Sequence, residues 1–161
     1  MTVTNKGENM EEKKIAVFPG SFNPFTIGHK AILDMALPLF DKVIIAIGVN
    51  DKKYNNRFEV DRNVETYREV FKDNPKVEVR SYNTLTADFC KEVGAKWIVR
   101  GVRNLVDFEY EKTMAHANKI LMPELDTIIF PTPAELEVVS SSFVRDVMKY
   151  NPRKAMEYMV L

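Results

Sequence analysis

Short apolar runs separated by polar turns recur along the chain and predict β-strands. Five runs rich in Val, Ile or aromatic residues end at a polar, Gly or Pro position: residues 14–18, 42–48, 77–82, 97–100 and 127–130. Such residues favour the pleated, buried surface of a sheet, whereas Gly and Pro interrupt it. The pattern therefore predicts five strands, the first of which is stopped by Pro19-Gly20.

The segments between these runs have the spacing of amphipathic helices. One face of a helix over residues 59–73 collects apolar residues at every third or fourth position: Val60, Val64, Tyr67 and Phe71. Further helices are predicted over residues 30–37, 87–93 and 107–121 and from residue 140 onward. Pro38 and Gly94 are expected to end the first two of these. The serine run from residue 140 resembles a helix cap, with Asp146 expected to reach back to it.

Strands that alternate with helices indicate a parallel sheet, because each parallel connection must cross back over the sheet and normally does so through a helix. The predicted fold class is α/β, a doubly wound, five-stranded parallel sheet with helices on both faces. The chain has no internal repeat, low-complexity stretch or Pro/Gly/Ser-rich linker. We expect residues 1–12 to be a disordered polar tail and residues 13–161 to form a single domain.

Composition and charge narrow the classes of function. The 161 residues include 23 Lys or Arg and 23 Asp or Glu, so the formal net charge is zero and no global basic field attracts a nucleic acid. The longest apolar stretch, residues 43–49, is far below the ~20 residues that span a membrane. The polar start lacks the pattern of a secretion signal, and Cys90 is the single cysteine. These features favour a cytoplasmic protein without nucleic-acid or membrane partners.

The side chains best suited to bind phosphate follow the ends of predicted strands. They are His29 after the first strand, Lys52 and Lys53 after the second, Arg100 and Arg103 at the fourth, and Ser140, Ser141 and Ser142 after the fifth. Ligands of open parallel sheets bind at the carboxyl ends of the strands, and helix N-termini, Lys and Arg bind phosphate. Each feature alone is commonly structural. Their coincidence at four strand ends favours a phosphate or nucleotide site.

The known glycine-rich phosphate loops do not explain this site, since the Walker pattern and the three-glycine dinucleotide fingerprint are both absent. Instead, Thr26-Ile27-Gly28-His29 resembles the Thr/His-x-Gly-His signature of the nucleotidylyltransferase superfamily. Within that superfamily the chain is most similar to the phosphopantetheine adenylyltransferase family. The similarity extends over about residues 14–150 and rests on residues 19–24, 100–103, 107–111, 121–124 and 140–145.

The resemblance implies a Rossmann-like fold and transfer of the adenylyl group of ATP to 4′-phosphopantetheine, which gives dephospho-coenzyme A and pyrophosphate. The implied catalytic residues are His29, Lys53, Ser21 and Arg103. The implied ATP-binding residues are Ser21, Phe22, His29, Gly101, Val102, Arg103, Glu111, Leu136, Glu137, Val138, Val139, Ser140, Ser141 and Ser142. The implied phosphopantetheine-binding residues are Ser21, Lys53, Thr86 and Arg100.

The chain departs from the family pattern at two positions. Ser21 stands where Thr is usual and keeps the hydroxyl, whereas Asn23 stands where Asp is typical and removes a charge. Lys53 is assigned by ungapped spacing from the second strand, with Lys52 as the alternative. Mg²⁺ is expected to arrive with ATP, because no carboxylate cluster offers a dedicated metal site. The resemblance also implies a homo-oligomer, specifically a hexamer.

Two other functions stay open at this level. Another nucleotidylyltransferase, for nicotinate mononucleotide or for a small phosphorylated alcohol, would share the ATP-side motifs, although Arg100 and residues 107–111 favour the pantetheine enzyme. A non-catalytic nucleotide-binding module is the alternative from a different class, and retention of His29, Lys53 and both arginines argues against it. The apolar end of the chain, residues 156–161, fits either core packing or an interface.

Overall fold

The computed structural model describes residues 11–50 and 55–161, in which five strands form one sheet. The strands are β1 Ile15–Gly20, β2 Lys42–Gly48, β3 Val77–Tyr82, β4 Trp97–Val102 and β5 Asp126–Pro131. Their spatial order is β3-β2-β1-β4-β5, and every neighbouring pair is parallel. The predicted α/β sheet is therefore confirmed. Lys52, Lys53 and most of the predicted N-terminal tail lie outside the described residues.

Six α-helices connect and cover the strands in the described part of the chain. They are α1 Ile27–Ala36, α2 Arg57–Val70, α3 Thr86–Val93, α4 Leu105–Leu121, α5 Ser141–Tyr150 and α6 Pro152–Met156. The first five correspond to the predicted helices, and the short α6 was not predicted. Across residues 11–50 and 55–161, no helix has both the length and the apolar character needed to cross a bilayer.

The first helix begins three residues earlier than predicted, and this places the signature histidine inside it. Thr26 caps α1: its hydroxyl accepts a hydrogen bond from the His29 N–H at 3.3 Å, and His29 Nδ1 accepts one from the Thr26 N–H at 2.9 Å. This is a reciprocal capping box in which His replaces the usual Glu or Gln. The apolar periodicity could not reveal it, because it concerns backbone groups at the helix end.

The cap of α5 differs from the prediction in one partner. Ser140 caps the helix as expected, since its hydroxyl accepts a hydrogen bond from the Phe143 N–H at 3.0 Å. The expectation that Asp146 reaches back to the cap is wrong, because its carboxylate pairs instead with Lys149 at 3.4 Å, three residues further along the helix. Residue 143, not residue 146, occupies the third helical position from which a side chain can reach the cap.

The central strand β1 continues through Pro19 and Gly20, so the prediction that these residues stop it is wrong. All six residues of β1 pair with β2, whereas pairing with β4 is confined to Ala16 and Val17. Proline has no N–H to donate, and the Pro19 carbonyl accepts a hydrogen bond from the Arg100 guanidinium. The two strands therefore separate toward their carboxyl ends, where the strand order reverses and ligands of such sheets bind.

Alternation along the strands creates an apolar core on each face of the sheet. Phe18 and Ile45 belong to the core that packs against α1 and α2, and Val17 and Ile44 belong to the core that packs against α3. Cys90 lies fully buried in the second core, as predicted for a small apolar residue. Burial of one large aliphatic side chain contributes about 1.5–3 kcal/mol, so these two cores position the site rigidly.

The C-terminal segment folds back beside the β1–α1 connection. The Ile27 N–H donates to the Tyr158 carbonyl, and the Val160 N–H donates to the Phe25 carbonyl, both at 3.0 Å. The ring of Tyr158 also packs against that of Phe143. Of the two alternatives for this apolar end, packing within the chain is thus observed for Tyr158 and Val160.

Candidate active site

A cavity of about 320 Å³ opens where β1 and β4 separate, and we call it the central cavity. Most of its lining comes from three segments: the β1–α1 connection, the β4–α4 connection and the N-terminus of α5. The predicted site residues among its lining are Ser21, Phe22, His29, Arg100, Gly101, Arg103, Glu111, Val139, Ser140, Ser141 and Ser142. The fold thus brings three distant parts of the sequence to one edge of the sheet.

Some predicted residues lie elsewhere, and some lining residues were missed. Val102, Leu136, Glu137 and Val138 do not line the central cavity, Thr86 lines two neighbouring cavities, and Lys53 is outside the described residues. The lining residues missed by the sequence analysis are Phe18, Gly20, Gly28, Ile32, Asp107, Thr132 and Arg145. Arg145 follows Ser141 by four residues on α5, so helical spacing could have identified it.

His29 is fixed in one protonation state and one tautomer. Because the Thr26 N–H donates to Nδ1, the ring proton of the neutral imidazole lies on Nε2. Burial, together with the nearby positive charges of Arg100 and Arg103, lowers the pKa of His29 from 6.5 to about 3. At neutral pH the ring is therefore uncharged and offers Nε2–H as a hydrogen-bond donor.

Three phenylalanine rings surround the imidazole of His29 and explain its burial. Their centroids lie 5.0 Å (Phe22), 5.3 Å (Phe25) and 6.4 Å (Phe18) from that of the imidazole. Phe22 meets it nearly perpendicularly, at 82°. Such edge contacts restrict the ring's orientation as well as its access to water.

Arg100 is held by a buried carboxylate. Its Nε donates to Glu111 Oε2 at 2.8 Å and its Nη2 donates to Glu111 Oε1 at 2.6 Å. The Glu111 side chain is only 7% exposed. An isolated charge would be costly there, and the two-point pairing with a guanidinium offsets much of that cost. Glu111 therefore lines the cavity with both carboxylate oxygens already bonded to Arg100.

Arg103 is paired in a similar way but nearer to solvent. Its Nε donates to Asp107 Oδ2 at 3.0 Å, and its backbone N–H donates to the same oxygen at 3.1 Å. The two side chains are 34% and 26% exposed. Asp107 precedes Glu111 by one helical turn, so a single face of α4 holds both arginines. A guanidinium has five N–H donors, which leaves each arginine able to bind an anion as well.

The N-terminus of α5 is docked against the β1–α1 connection. Ser141 Oγ donates to the Pro24 carbonyl at 2.8 Å, and Arg145 Nη1 donates to the Asn23 carbonyl at 2.6 Å. The first N–H groups of a helix lack partners within the helix, and its dipole favours negative charge there. The N-terminus of α5, where a negative charge would be favoured, therefore faces the central cavity together with His29.

Gly101 is required by close packing at the floor of the cavity. A Cβ at this position would lie 2.7 Å from Cγ1 of Ile32 on α1, which is far inside van der Waals contact. The glycine therefore lets β4 approach α1 closely, and the two walls of the cavity lie side by side.

Two further cavities adjoin the central cavity. A lateral cavity of about 230 Å³ lies between β4 and α4, and an open cavity of about 680 Å³ lies beyond the ends of β2 and β3. Gly20 lines both of these and the central cavity, while Arg100 and Glu111 separate the central cavity from the lateral one. Ligands in adjacent cavities would therefore meet at the end of β1.

The described residues do not form a protein metal site. No group of three or more His, Cys, Asp or Glu side chains among them is arranged to hold a metal ion. The two carboxylates that line the central cavity, those of Asp107 and Glu111, are paired with arginines. The donor set therefore does not fit a dedicated metal cage.

Comparison with known proteins gives consistent matches. A model of the cytidylyltransferase-like family matches residues 17–147. A phosphopantetheine adenylyltransferase of Cytophaga hutchinsonii is 49% identical over 86% of this chain and 91% of its own length. One of Flavobacterium psychrophilum is 50% identical over 83% of this chain and 87% of its own length.

Solved structures show the same fold at lower sequence identity. A putative nicotinate-nucleotide adenylyltransferase of Vibrio parahaemolyticus superposes with a TM-score of 0.63 at 16% identity, over 93% of this chain and 95% of that one. A bifunctional NMN adenylyltransferase/ADP ribose pyrophosphatase of Francisella tularensis gives 0.65 at 20% identity, over 93% of this chain and 45% of that one. By its sequence, the chain belongs to the cytidylyltransferase-like family and, within it, to the phosphopantetheine adenylyltransferases.

Proposed function

We propose that this chain transfers the adenylyl group of ATP to 4′-phosphopantetheine and releases dephospho-coenzyme A and pyrophosphate. The observation that supports this proposal most strongly is the central cavity, in which a neutral histidine, two arginines and a helix N-terminus converge. All of these groups donate hydrogen bonds to phosphate oxygens. The adjoining cavities leave room for a second substrate whose phosphate reaches the same point.

The reaction needs no nucleophile from the protein. An oxygen of the phosphopantetheine phosphate attacks the α-phosphorus of ATP, and a new P–O bond forms as the bond to the β-phosphate oxygen breaks. The electron pair of the broken bond leaves with pyrophosphate. Positioning and stabilisation of the developing charge can therefore supply most of the acceleration.

In this proposal, the two substrates contact different residues. His29 donates its Nε2–H to the α-phosphate, where charge develops in the transition state. The N-terminus of α5, with its serine run Ser140–Ser142, binds the β- and γ-phosphates. Arg103 binds on the nucleotide side and Arg100 on the phosphopantetheine side, while Lys53 orients the attacking phosphate.

The lateral cavity is the proposed site of the pantetheine arm. It is lined by Thr86, whose hydroxyl lies 3.0 Å from that of Tyr82, and by Asn118, which is 9% exposed. The Thr127 hydroxyl, which also lines this cavity, is buried without a hydrogen-bond partner among the described residues. Amide groups of the arm could satisfy such buried polar atoms, which otherwise carry a free-energy cost.

Magnesium belongs with ATP in this proposal. When bound to the nucleotide, Mg²⁺ neutralises charge on the phosphates, and no protein side chain is assigned to hold it. The roles given to His29, Arg100, Arg103 and α5 do not depend on it.

A homo-oligomer is proposed from the apolar surface of α4. Leu105, Val106 and Ile120 are each at least 80% exposed, and Leu121 is 55% exposed. Several large exposed apolar side chains on one helix favour an interface. Together with the family resemblance, this supports a hexamer, and light scattering of the purified protein measures its mass directly. The cytoplasmic location is proposed from the resemblance alone.

A pyrophosphate-release assay tests the proposed reaction. The purified chain is supplied with ATP and 4′-phosphopantetheine, with ATP and nicotinate mononucleotide, or with CTP and a phosphorylated alcohol. We expect turnover only with the first pair. Turnover with another pair would assign a different substrate, and nucleotide binding without release in every arm would identify a non-catalytic binding module.

A further inference from the structure

We propose that Tyr67, which lies on α2 outside the three cavities, is a positioning residue for His29. Its side chain is 4% exposed and reaches the underside of the β1–α1 connection. The inference rests on the proposed function of His29 and extends it to a residue that does not line the site. It is carried by two hydrogen bonds, one strained backbone residue and a set of ring contacts.

Both hydrogen-bonding capacities of the Tyr67 hydroxyl are used on this connection. The hydroxyl accepts a hydrogen bond from the Phe25 N–H at 2.8 Å and donates one to the Phe22 carbonyl at 2.8 Å. A tyrosine hydroxyl has a single proton to donate, so these two bonds fix its orientation. Tyr67 therefore clamps the backbone at two points three residues apart.

The first of these two residues, Phe22, has a strained backbone conformation. Phe22 has a φ of +44°, in the left-handed region that side chains other than glycine rarely adopt. Such a conformation persists only where surrounding contacts hold it, and such residues concentrate at functional sites. The hydrogen bond from Tyr67 to the Phe22 carbonyl is one of those contacts.

The backbone conformation of Phe22 decides where its ring lies. The ring folds back over Gly20, where a Cβ would lie only 3.0 Å from Phe22 Cζ. The same ring meets the imidazole of His29 edge-on, with the centroids 5.0 Å apart. Tyr67 therefore acts on His29 through Phe22.

The second point of the clamp gives an independent path to the same histidine. The ring of Phe25 lies between those of Tyr67, at 5.6 Å, and His29, at 5.3 Å. Phe25 is fully buried, and its N–H is the one that donates to the Tyr67 hydroxyl. Both paths restrict the direction in which His29 Nε2–H points.

The test compares Tyr67→Phe with Val64→Ala. Tyr67→Phe removes only the hydroxyl, whereas Val64, one turn earlier on the same buried face of α2, makes no hydrogen bond to the connection through its side chain. We expect Tyr67→Phe to lower kcat by about tenfold, with both KM values changed by less than about twofold. Val64→Ala should keep kcat within about twofold of the wild-type value, although its melting temperature should fall by as much as that of Tyr67→Phe or more.

A second readout observes His29 directly. In the wild-type protein, NMR of the imidazole should show one set of signals with the proton on Nε2. In Tyr67→Phe, we expect broadened or multiple imidazole signals, and in Val64→Ala the wild-type pattern. If the proposed adenylyl transfer fails in the wild-type protein, this measurement still decides whether Tyr67 positions the ring.

Three results would overturn the inference. They are a wild-type kcat in folded Tyr67→Phe, an equal loss of kcat in Val64→Ala, and unchanged His29 signals in Tyr67→Phe. If Tyr67→Phe does not fold, Phe22→Leu replaces it, because this variant keeps both backbone hydrogen bonds to Tyr67 and removes the ring that meets His29. Broadened or multiple His29 imidazole signals in the ligand-free Phe22→Leu protein then support the positioning path, because Phe22 also lines the cavity and kcat alone would not distinguish the two roles, and wild-type signals contradict it.

Discussion

The two walls of the central cavity present hydrogen-bond donors by different physical means. The β1–α1 wall contributes Gly20, Ser21, Phe22, Gly28 and His29, and the histidine is neutral at pH 7. The β4–α4 wall instead contributes two arginines, each paired with a carboxylate of α4. One wall therefore relies on uncharged donors held in place, and the other on charges that are partly balanced before any ligand binds.

The uncharged wall is held from outside by an unusual number of partners. Consecutive carbonyls of this connection accept hydrogen bonds from different parts of the fold: Ser21 from Asn55, Phe22 from Tyr67, Asn23 from Arg145, Pro24 from Ser141 and Phe25 from Val160. A fixed dipole needs no reorganisation when charge develops, so such a wall is effective without a net charge. Each arginine of the charged wall is paired with one carboxylate of α4, and Arg100 also donates to the Pro19 carbonyl.

The largest effect is expected from removing the donor of the uncharged wall. His29→Ala should leave the fold intact and lower kcat by about 10²- to 10³-fold, the scale for losing one fixed transition-state donor. The KM for ATP should change much less. Steady-state kinetics on protein with a native circular dichroism spectrum measures this, and near-normal turnover would show that the uncharged wall is not catalytic.

The next effect separates the two arginines of the charged wall. Arg103→Ala should weaken ATP binding and Arg100→Ala should weaken phosphopantetheine binding, each by about 30-fold, because a hydrogen bond to a charged group contributes about 2 kcal/mol. Calorimetric titration of each ligand measures both affinities. Equal loss of the same ligand in both variants would contradict the division.

Arg100→Ala needs a control, because it leaves the Glu111 carboxylate buried without its partner. The double variant Arg100→Ala/Glu111→Gln removes that charge. If the double variant regains phosphopantetheine affinity, the loss arose from the unpaired carboxylate and not from a missing contact to substrate.

A smaller effect is expected from the lysines that follow β2. Lys53→Ala should raise the KM for phosphopantetheine and lower kcat, so that kcat/KM falls by about tenfold. Both parameters change because one charge both binds and orients the attacking phosphate. Lys52→Ala should cost only ~0.5 kcal/mol, as for a screened surface charge. Kinetics of the two single variants decides between them, and the reverse pattern would assign the phosphate to Lys52.

The smallest effect concerns the pH dependence of stability. The folded-state pKa of His29, about 3, lies below its ordinary value of 6.5. As pH falls through 6.5, the unfolded chain therefore takes up this proton first and folding is disfavoured. The stabilisation is complete above about pH 6.5 and is lost progressively toward pH 3.

Urea unfolding at pH 7 and pH 5 measures this loss. The wild-type protein should lose about 1–2 kcal/mol more free energy of unfolding than His29→Gln over this interval, the upper figure being the full linkage effect for a pKa of 6.5 in the unfolded chain and about 3 in the folded one. Equal losses in the two proteins would mean that the imidazole titrates normally and that the β1–α1 wall is not uncharged in acid.

Local patterns in the sequence were sufficient to predict the strands and helices. They also predicted which edge of the sheet carries the candidate site. Alternating strands and helices predicted the α/β class, and the positions of His29, Arg100 and the serine run after strands predicted a common phosphate site. The α/β class is confirmed, and these side chains do line one cavity, because the helical and strand periods, and the rule that parallel strands end at one edge, are local properties. Arg145 was not predicted as a lining residue, but it too has a local signal, since it follows Ser141 by four residues on α5.

Contacts between distant residues were decided only by the tertiary structure. The lowered pKa of His29 depends on burial among Phe18, Phe22 and Phe25 and on charges more than 70 positions away. Likewise, Glu111 was expected beside ATP and is bonded to Arg100, and Tyr67 was predicted only as a core residue. Hydrophobic periodicity specifies which side of a helix is buried but not which polar atom meets which, because that depends on how the helices pack across the sheet.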